Sequence, residues 1–119
     1  MKEFSSLRTL LLIGAGAASL ALPANAAPML TAENGMTVYA FDKDVVGEPT
    51  CYDACARKWP PYLTVSGEKR GEGWATVTRK DGSVQWTYRN RPLYFYADDK
   101  KEGDRNGNGV GRIWRIVEP

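Results

Sequence analysis

The sequence holds 119 residues, with 16 Lys and Arg against 14 Asp and Glu, no histidine, and a net charge of +2. A balance so close to neutral gives no basic footprint for nucleic acid or an anionic membrane surface. Without histidine there is no His-ligated zinc or type-1 copper, no Cys-x-x-Cys-His haem attachment, and no Ser-His or Cys-His nucleophile pair, so the chain does not read as an enzyme and no cofactor is expected.

The first element is an export signal. Lys2 and Arg8 flank a charged start, residues 9–22 are almost wholly apolar and small, and Ala24-Asn25-Ala26 offers the small residues that a signal peptidase reads. The apolar run is short for a membrane span, so cleavage after Ala26 is expected, with no membrane insertion afterwards. The first cysteine is Cys51, too far along to carry a lipid at the mature amino terminus. The product is a periplasmic or secreted protein of net charge +1, because Lys2, Glu3 and Arg8 leave with the signal. Residues 27–119 suffice for one small domain burying roughly 60 to 65% of its unfolded surface.

Within that domain, residues 34–44 (NGMTVYAFDKD) recur in altered form as residues 90–100 (NRPLYFYADDK). In each copy a tyrosine is followed by an aromatic two residues later, an aspartate five later and a tryptophan twenty later: Tyr39, Phe41, Asp44, Trp59, then Tyr94, Tyr96, Asp99, Trp114. These shared spacings predict one folding unit used twice, over about 28–61 and 74–118. Asn34-Gly35 predicts a hairpin with a two-residue type I′ loop. Val38 and Ala40 then face the core, while Tyr39 and Phe41 project from the other face. Thr50 with Asp53 resembles a capping box opening a short helix over residues 51–58, which Pro60 and Pro61 stop.

Asp81-Gly82 predicts a second two-residue hairpin, which would set Val77 opposite Trp86 and Ala75 opposite Tyr88. A tight turn at Arg89-Asn90 would continue the meander, pairing Trp86 with Leu93 and Val84 with Phe95 and placing Tyr94 and Tyr96 on the opposite face. That face needs a second layer or a ligand to cover it, and the segments carrying Trp59 and Trp114 can supply the layer. GDRNGNGVGRIW reads as a loop entering a final strand from Gly111 or Arg112 to Val117. The predicted fold is mainly β: a small antiparallel domain, sandwich or half-open barrel, of two pseudo-repeated hairpin units with one short helix.

Chemistry centres on few residues. Cys51 and Cys55 in an oxidising compartment should close a disulfide, although Cβ atoms four apart on a regular helix are too distant for one, so the turn must distort or the bond strain. The same pair remains a candidate redox couple or Cu(I) site, two thiolates sufficing for Cu(I). Asp104, Asn106 and Asn108 resemble the opening of a calcium loop, but Arg115 stands where an EF-hand needs its bidentate glutamate. Asp44 and Asp99 read as strand-end caps accepting backbone or tyrosine hydrogen bonds.

YAFDKD, CYDACARKWPP, DGSVQWTYRNRPLYFYADD and GVGRIW together resemble a family of secreted, often lipoprotein-type bacterial proteins with a repeated Tyr-x-aromatic-x-x-Asp motif and largely uncharacterised function. The resemblance covers nearly the whole chain after the signal. It departs from the lipoprotein members in lacking a lipobox cysteine. The expected function is a non-catalytic binding or structural module of the envelope, in which the face of Tyr39, Phe41, Tyr94 and Tyr96 meets an envelope protein, a glycan or its own copy. The alternative is a metal or thiol-redox protein working through Cys51 and Cys55.

Overall fold

The computed structural model describes residues 28–119. The expected leader, residues 1–26, lies outside the described residues. The fold is mainly β, with strands β1 (Tyr39–Phe41), β2 (Leu63–Thr64), β3 (Trp74–Thr78), β4 (Val84–Tyr88), β5 (Arg91–Pro92) and β6 (Trp114–Ile116) and, among the described residues, one α-helix, α1 (Ala54–Lys58). β1 pairs with β6, while β4 carries β3 on one edge and both β2 and β5 on the other, every pairing antiparallel. Among the described residues the strands do not close into a barrel.

The two hairpins at Asn34-Gly35 and Asp81-Gly82 exist, but both loops hold three residues instead of two. Ala32 and Met36 close the first, with the Ala32 amide donating to the Met36 carbonyl at 2.9 Å, and Arg79 and Ser83 close the second at 2.7 Å. In each loop the third residue is a glycine at positive φ, Gly35 at 84° and Gly82 at 90°, where a β carbon would be strained. The residue before it folds its side chain onto the backbone: Asn34 Oδ1 accepts the Met36 N–H and Asp81 Oδ1 the Ser83 N–H. The added residue corrects the β3–β4 register by one, so that Trp74 faces Tyr88, Thr76 faces Trp86 and Val77 faces Gln85. Trp74 thereby joins the face of Trp86 and Tyr88 and packs against their core.

The turn at Arg89-Asn90 is the tight one expected. Both residues have positive φ, 50° and 68°, Tyr88 faces Arg91, and the Leu93 amide donates to the Trp86 carbonyl at 3.0 Å. Val38, Ala40 and Leu93 therefore enter one core cluster with Leu30, Tyr62 and Trp86, and the motif tyrosines enter a second with Trp59 and Trp114.

Helix and final strand are both shorter than predicted. Thr50 caps nothing: its hydroxyl donates to Asp44 Oδ1 at 2.8 Å, and the helix starts only at Ala54, after Asp53 at φ 55°. Residues 110–112 form a 3-10 turn, with Gly111 at φ 59°, and the last strand begins at Trp114.

At the centre, Tyr39 and Tyr94 form an antiparallel bridge in which each amide donates to the other's carbonyl, at 2.7 and 2.9 Å. An antiparallel pair of equivalent residues is related by a local two-fold, and the pairings around it repeat accordingly. Tyr39 faces Ile116 as Tyr94 faces Pro61, and the Asp42 amide donates to the Ile113 carbonyl as the Ala97 amide donates to the Lys58 carbonyl. All these equivalences are fifty-five positions apart. Before the hairpin the offset is fifty-six: Leu30 donates to Val117 as Trp86 donates to Tyr62. The three-residue loop at Gly35 against the two-residue turn at Asn90 accounts for the difference.

Candidate functional site

The motif residues bind crosswise between the repeats. The Tyr39 hydroxyl donates to Asp99 Oδ2 at 2.6 Å, and the Tyr94 hydroxyl donates to Asp44 Oδ2 at 3.0 Å. Each aspartate uses its other oxygen on the loop that follows: Asp99 Oδ1 accepts the Asn106 amide and side-chain N–H groups at 3.1 and 3.0 Å, and Asp44 Oδ1 accepts the Thr50 amide and hydroxyl at 2.8 Å each. A spacing of five residues carries the carboxylate past the end of its strand, where it reaches both the partner tyrosine and its own loop. The two aspartates thus act as strand-end caps, with the tyrosine supplied by the other repeat.

The aromatic residues interlock in the same way. Trp59 and Trp114 stack face to face with centroids 3.8 Å apart, and Phe41 lies on Trp114 at 4.1 Å as Tyr96 lies on Trp59 at 4.2 Å. The four rings form one column, Phe41, Trp114, Trp59, Tyr96, in which each motif aromatic rests on the other repeat's tryptophan. Tyr39 meets Trp59 edge-on at 5.4 Å and Tyr94 meets Trp114 at 5.2 Å. Each such contact contributes on the order of 0.5 to 1.5 kcal/mol beyond the area it buries. Gly107 closes this region, since a β carbon there would lie 2.8 Å from the Trp59 ring.

The column corrects one expectation about the motif face. Tyr39 and Tyr94 are fully buried, and Phe41 and Tyr96 only half-buried, because the tryptophan segments supply the covering layer. Of the four motif rings, only Phe41 and Tyr96, at the two ends of the column, remain partly exposed. Burial raises both tyrosine pKa values well above the ordinary range, and the facing carboxylates, Asp99 for Tyr39 and Asp44 for Tyr94, raise them further. Burial also raises Asp44, against the opposing effect of the Thr50 and Tyr94 hydrogen bonds.

Cys51 and Cys55 are joined, with Cα atoms 5.2 Å apart. The helix accommodates the bond by excluding Cys51: the left-handed backbone at Asp53 separates the two, so the turn is what distorts. With both sulfurs so engaged, a Cu(I) site would first require reduction. Arg79, which the sequence reading passed over, lies buried beside the disulfide. Its guanidinium donates to the Cys51 carbonyl at 2.6 Å and to Gln85 Oε1 at 2.7 Å, and its carbon lies 4.2 Å from the centre of the Tyr52 ring. Nothing in its strand-end position distinguishes it from the neighbouring surface cations.

The calcium-loop candidates do not converge. Asp104 Oδ2 accepts the Lys100 and Lys101 amides, Asn106 faces Asp99, and Asn108 Oδ1 accepts the Ile116 amide. Among the described residues no group of three or more Cys, Asp and Glu is arranged to hold a metal ion. Beside the first motif lies a cleft of about 260 Å³, lined by Phe41, Asp44, Val45, Val46, Arg89 and Arg91 among others. Val45 and Val46 are 62% and 78% exposed. Arg91 and Arg115 both pair with Asp42 at its rim, and Arg115 foremost holds that carboxyl below its usual range.

A family model described as a secreted repeat of unknown function matches residues 26–62 and 75–118. Neither a curated protein nor a solved structure matches the chain. Among the described residues no helix is long and apolar enough to cross a membrane.

Proposed function

We propose, for a chain that belongs to the family described as a secreted repeat of unknown function, that it is a non-catalytic binding module of the cell envelope, made from residues 27–119 after cleavage at Ala26. The observation that carries this reading is the reciprocal use of the motif: both tyrosine–aspartate pairs and all four stacked rings are engaged in holding the repeats together. Binding then falls to the surface beside them. The exposed Val45 and Val46, with Arg89 and Arg91 across the cleft, suit an envelope protein better than a glycan, since sugars are commonly held on open aromatic faces and Phe41 already stacks on Trp114.

A photo-crosslinker at Val46, in protein made in its own cells, should give one discrete adduct. V45D, with the crosslinker kept at position 46, should abolish it without moving the melting temperature by more than about 4 °C, as surface substitutions usually stay within 0.5 kcal/mol. Loss of the adduct in C51S/C55S, with the fold retained, would favour the thiol or metal alternative and overturn this reading. That double variant should itself cost about 2 kcal/mol in urea unfolding, as a loop this short closes little chain entropy.

A further inference from the structure

Residues 63–74, between the two segments matched by the family model, build an arrangement outside the motif clasps. Tyr62, Trp74 and Trp86 surround the Arg70 guanidinium, whose carbon lies 4.2 Å from the Trp74 ring centre, 5.7 Å from Tyr62 and 5.8 Å from Trp86. Trp74 meets Trp86 edge-on at 5.4 Å, forming a corner, and an Arg70 Nη donates to the Tyr62 hydroxyl. Two ring faces at an angle and one hydroxyl acceptor are what a planar organic cation needs: the ring quadrupoles attract its charge and the oxygen takes one N–H.

The occupant is brought in by a loop suited to leaving. Gly67, Gly71 and Gly73 have φ of 82°, 124° and 88°, and side chains at Gly67 and Gly71 would meet only open space. The Glu68 amide bonds back to Val65 and the Trp74 amide to Gly71, so both turns are internal to the loop, whose far end is fixed where the Gly73 carbonyl accepts the Arg89 amide at 2.7 Å. An open depression of about 490 Å³, lined by Lys69, Arg70, Trp74 and Thr76 among others, lies alongside. It gives a second polypeptide room to approach the cage.

We propose that Tyr62, Trp74 and Trp86 form a binding site for an arginine side chain of another polypeptide, which Arg70 occupies in cis and vacates when residues 65–72 swing outward. The cis occupant names the chemistry, because the cage already holds a guanidinium on an alkyl stem. Competition by Arg70 lowers the apparent affinity of the wild-type protein by the fraction of molecules with the loop open.

Tryptophan fluorescence titrations of wild type, R70A and R70M test this, with ethylguanidinium and a blocked Ala-Arg-Ala tripeptide as probes and ethylammonium as control. Both guanidinium probes should bind R70A and R70M saturably, the tripeptide about tenfold more tightly than it binds wild type, as expected for a site open in roughly a tenth of wild-type molecules. Ethylammonium should be several-fold weaker, and Y62F/R70A, which keeps the ring but loses the acceptor, should weaken the tripeptide similarly. Absence of saturable binding to both Arg70 variants would overturn the site, as would equal affinity for ethylammonium. Binding of ethylguanidinium without the tripeptide would overturn the assignment to a polypeptide partner.

Discussion

Asp99→Ala should destabilise the domain by about 2 to 4 kcal/mol, a large share of an ordinary marginal stability. Asp99 is 8% exposed and takes three donors: the Tyr39 hydroxyl, the Asn106 amide and the Asn106 side chain. Alanine leaves the buried Tyr39 hydroxyl without its acceptor, at a cost of about 1 to 3 kcal/mol, and removes both charge-assisted bonds to the exposed Asn106, which water replaces in part. Asp44→Ala should cost less, because its Thr50 contacts are exposed and water can replace the carboxylate there. Tyr39→Phe removes one donor and leaves Asp99 with its two Asn106 contacts, so roughly 1.5 to 3 kcal/mol is expected for a hydrogen bond to a charged group. A double-mutant cycle of Tyr39→Phe with Asp99→Ala in urea should show that the pair is coupled. A loss below about 1 kcal/mol for Asp99→Ala would mean that the crosswise clasp contributes little.

The second large effect is cooperative loss of stability in alkali. In the folded state Tyr39 and Tyr94 hold their protons well above pH 10, principally because burial disfavours the phenolate, and in the unfolded chain they titrate near the ordinary value of 10.0. Above pH 10 the native state therefore binds more protons than the unfolded one, and stability falls as pH rises. Each tyrosine contributes about 1.4 kcal/mol per pH unit, so together they remove about 5 kcal/mol between pH 10 and 12. The stability is fully present below pH 10 and is lost as pH climbs towards the folded-state values. Urea midpoints measured from pH 8 to 12 should show this slope, and Tyr94→Phe should remove about half of it. An unchanged slope in that variant would show that other groups govern alkaline unfolding.

The duplicated spacing of Tyr39 and Tyr94, with Asp44, Asp99, Trp59 and Trp114, was legible because a folding unit used twice must repeat its contacts. The face assignment of Val38 and Ala40 followed from strand parity. The crosswise connection was not legible: spacing within a repeat gives the same letters whether an aspartate serves its own tyrosine or the other one. Glycine loops misled by one residue, since Asn-Gly and Asp-Gly suit both the two-residue turn and the three-residue loop seen at Gly35 and Gly82. The Thr50 hydroxyl had two available acceptor roles, and tertiary contact with Asp44 prevailed over local capping. Arg70 and Arg79 gave no signal, because Trp86 and Tyr52, among the rings that receive them, come close only through the fold.

The axis between Tyr39 and Tyr94 has a consequence for how such a chain divides. Cut between Thr64 and Trp74, neither fragment can satisfy its own hydroxyl or its own carboxylate, for each lies on the other piece. A fragment bearing a single copy can complete its clasp only against another copy, so the intact polypeptide has the form of a dimer of two related subunits joined end to end.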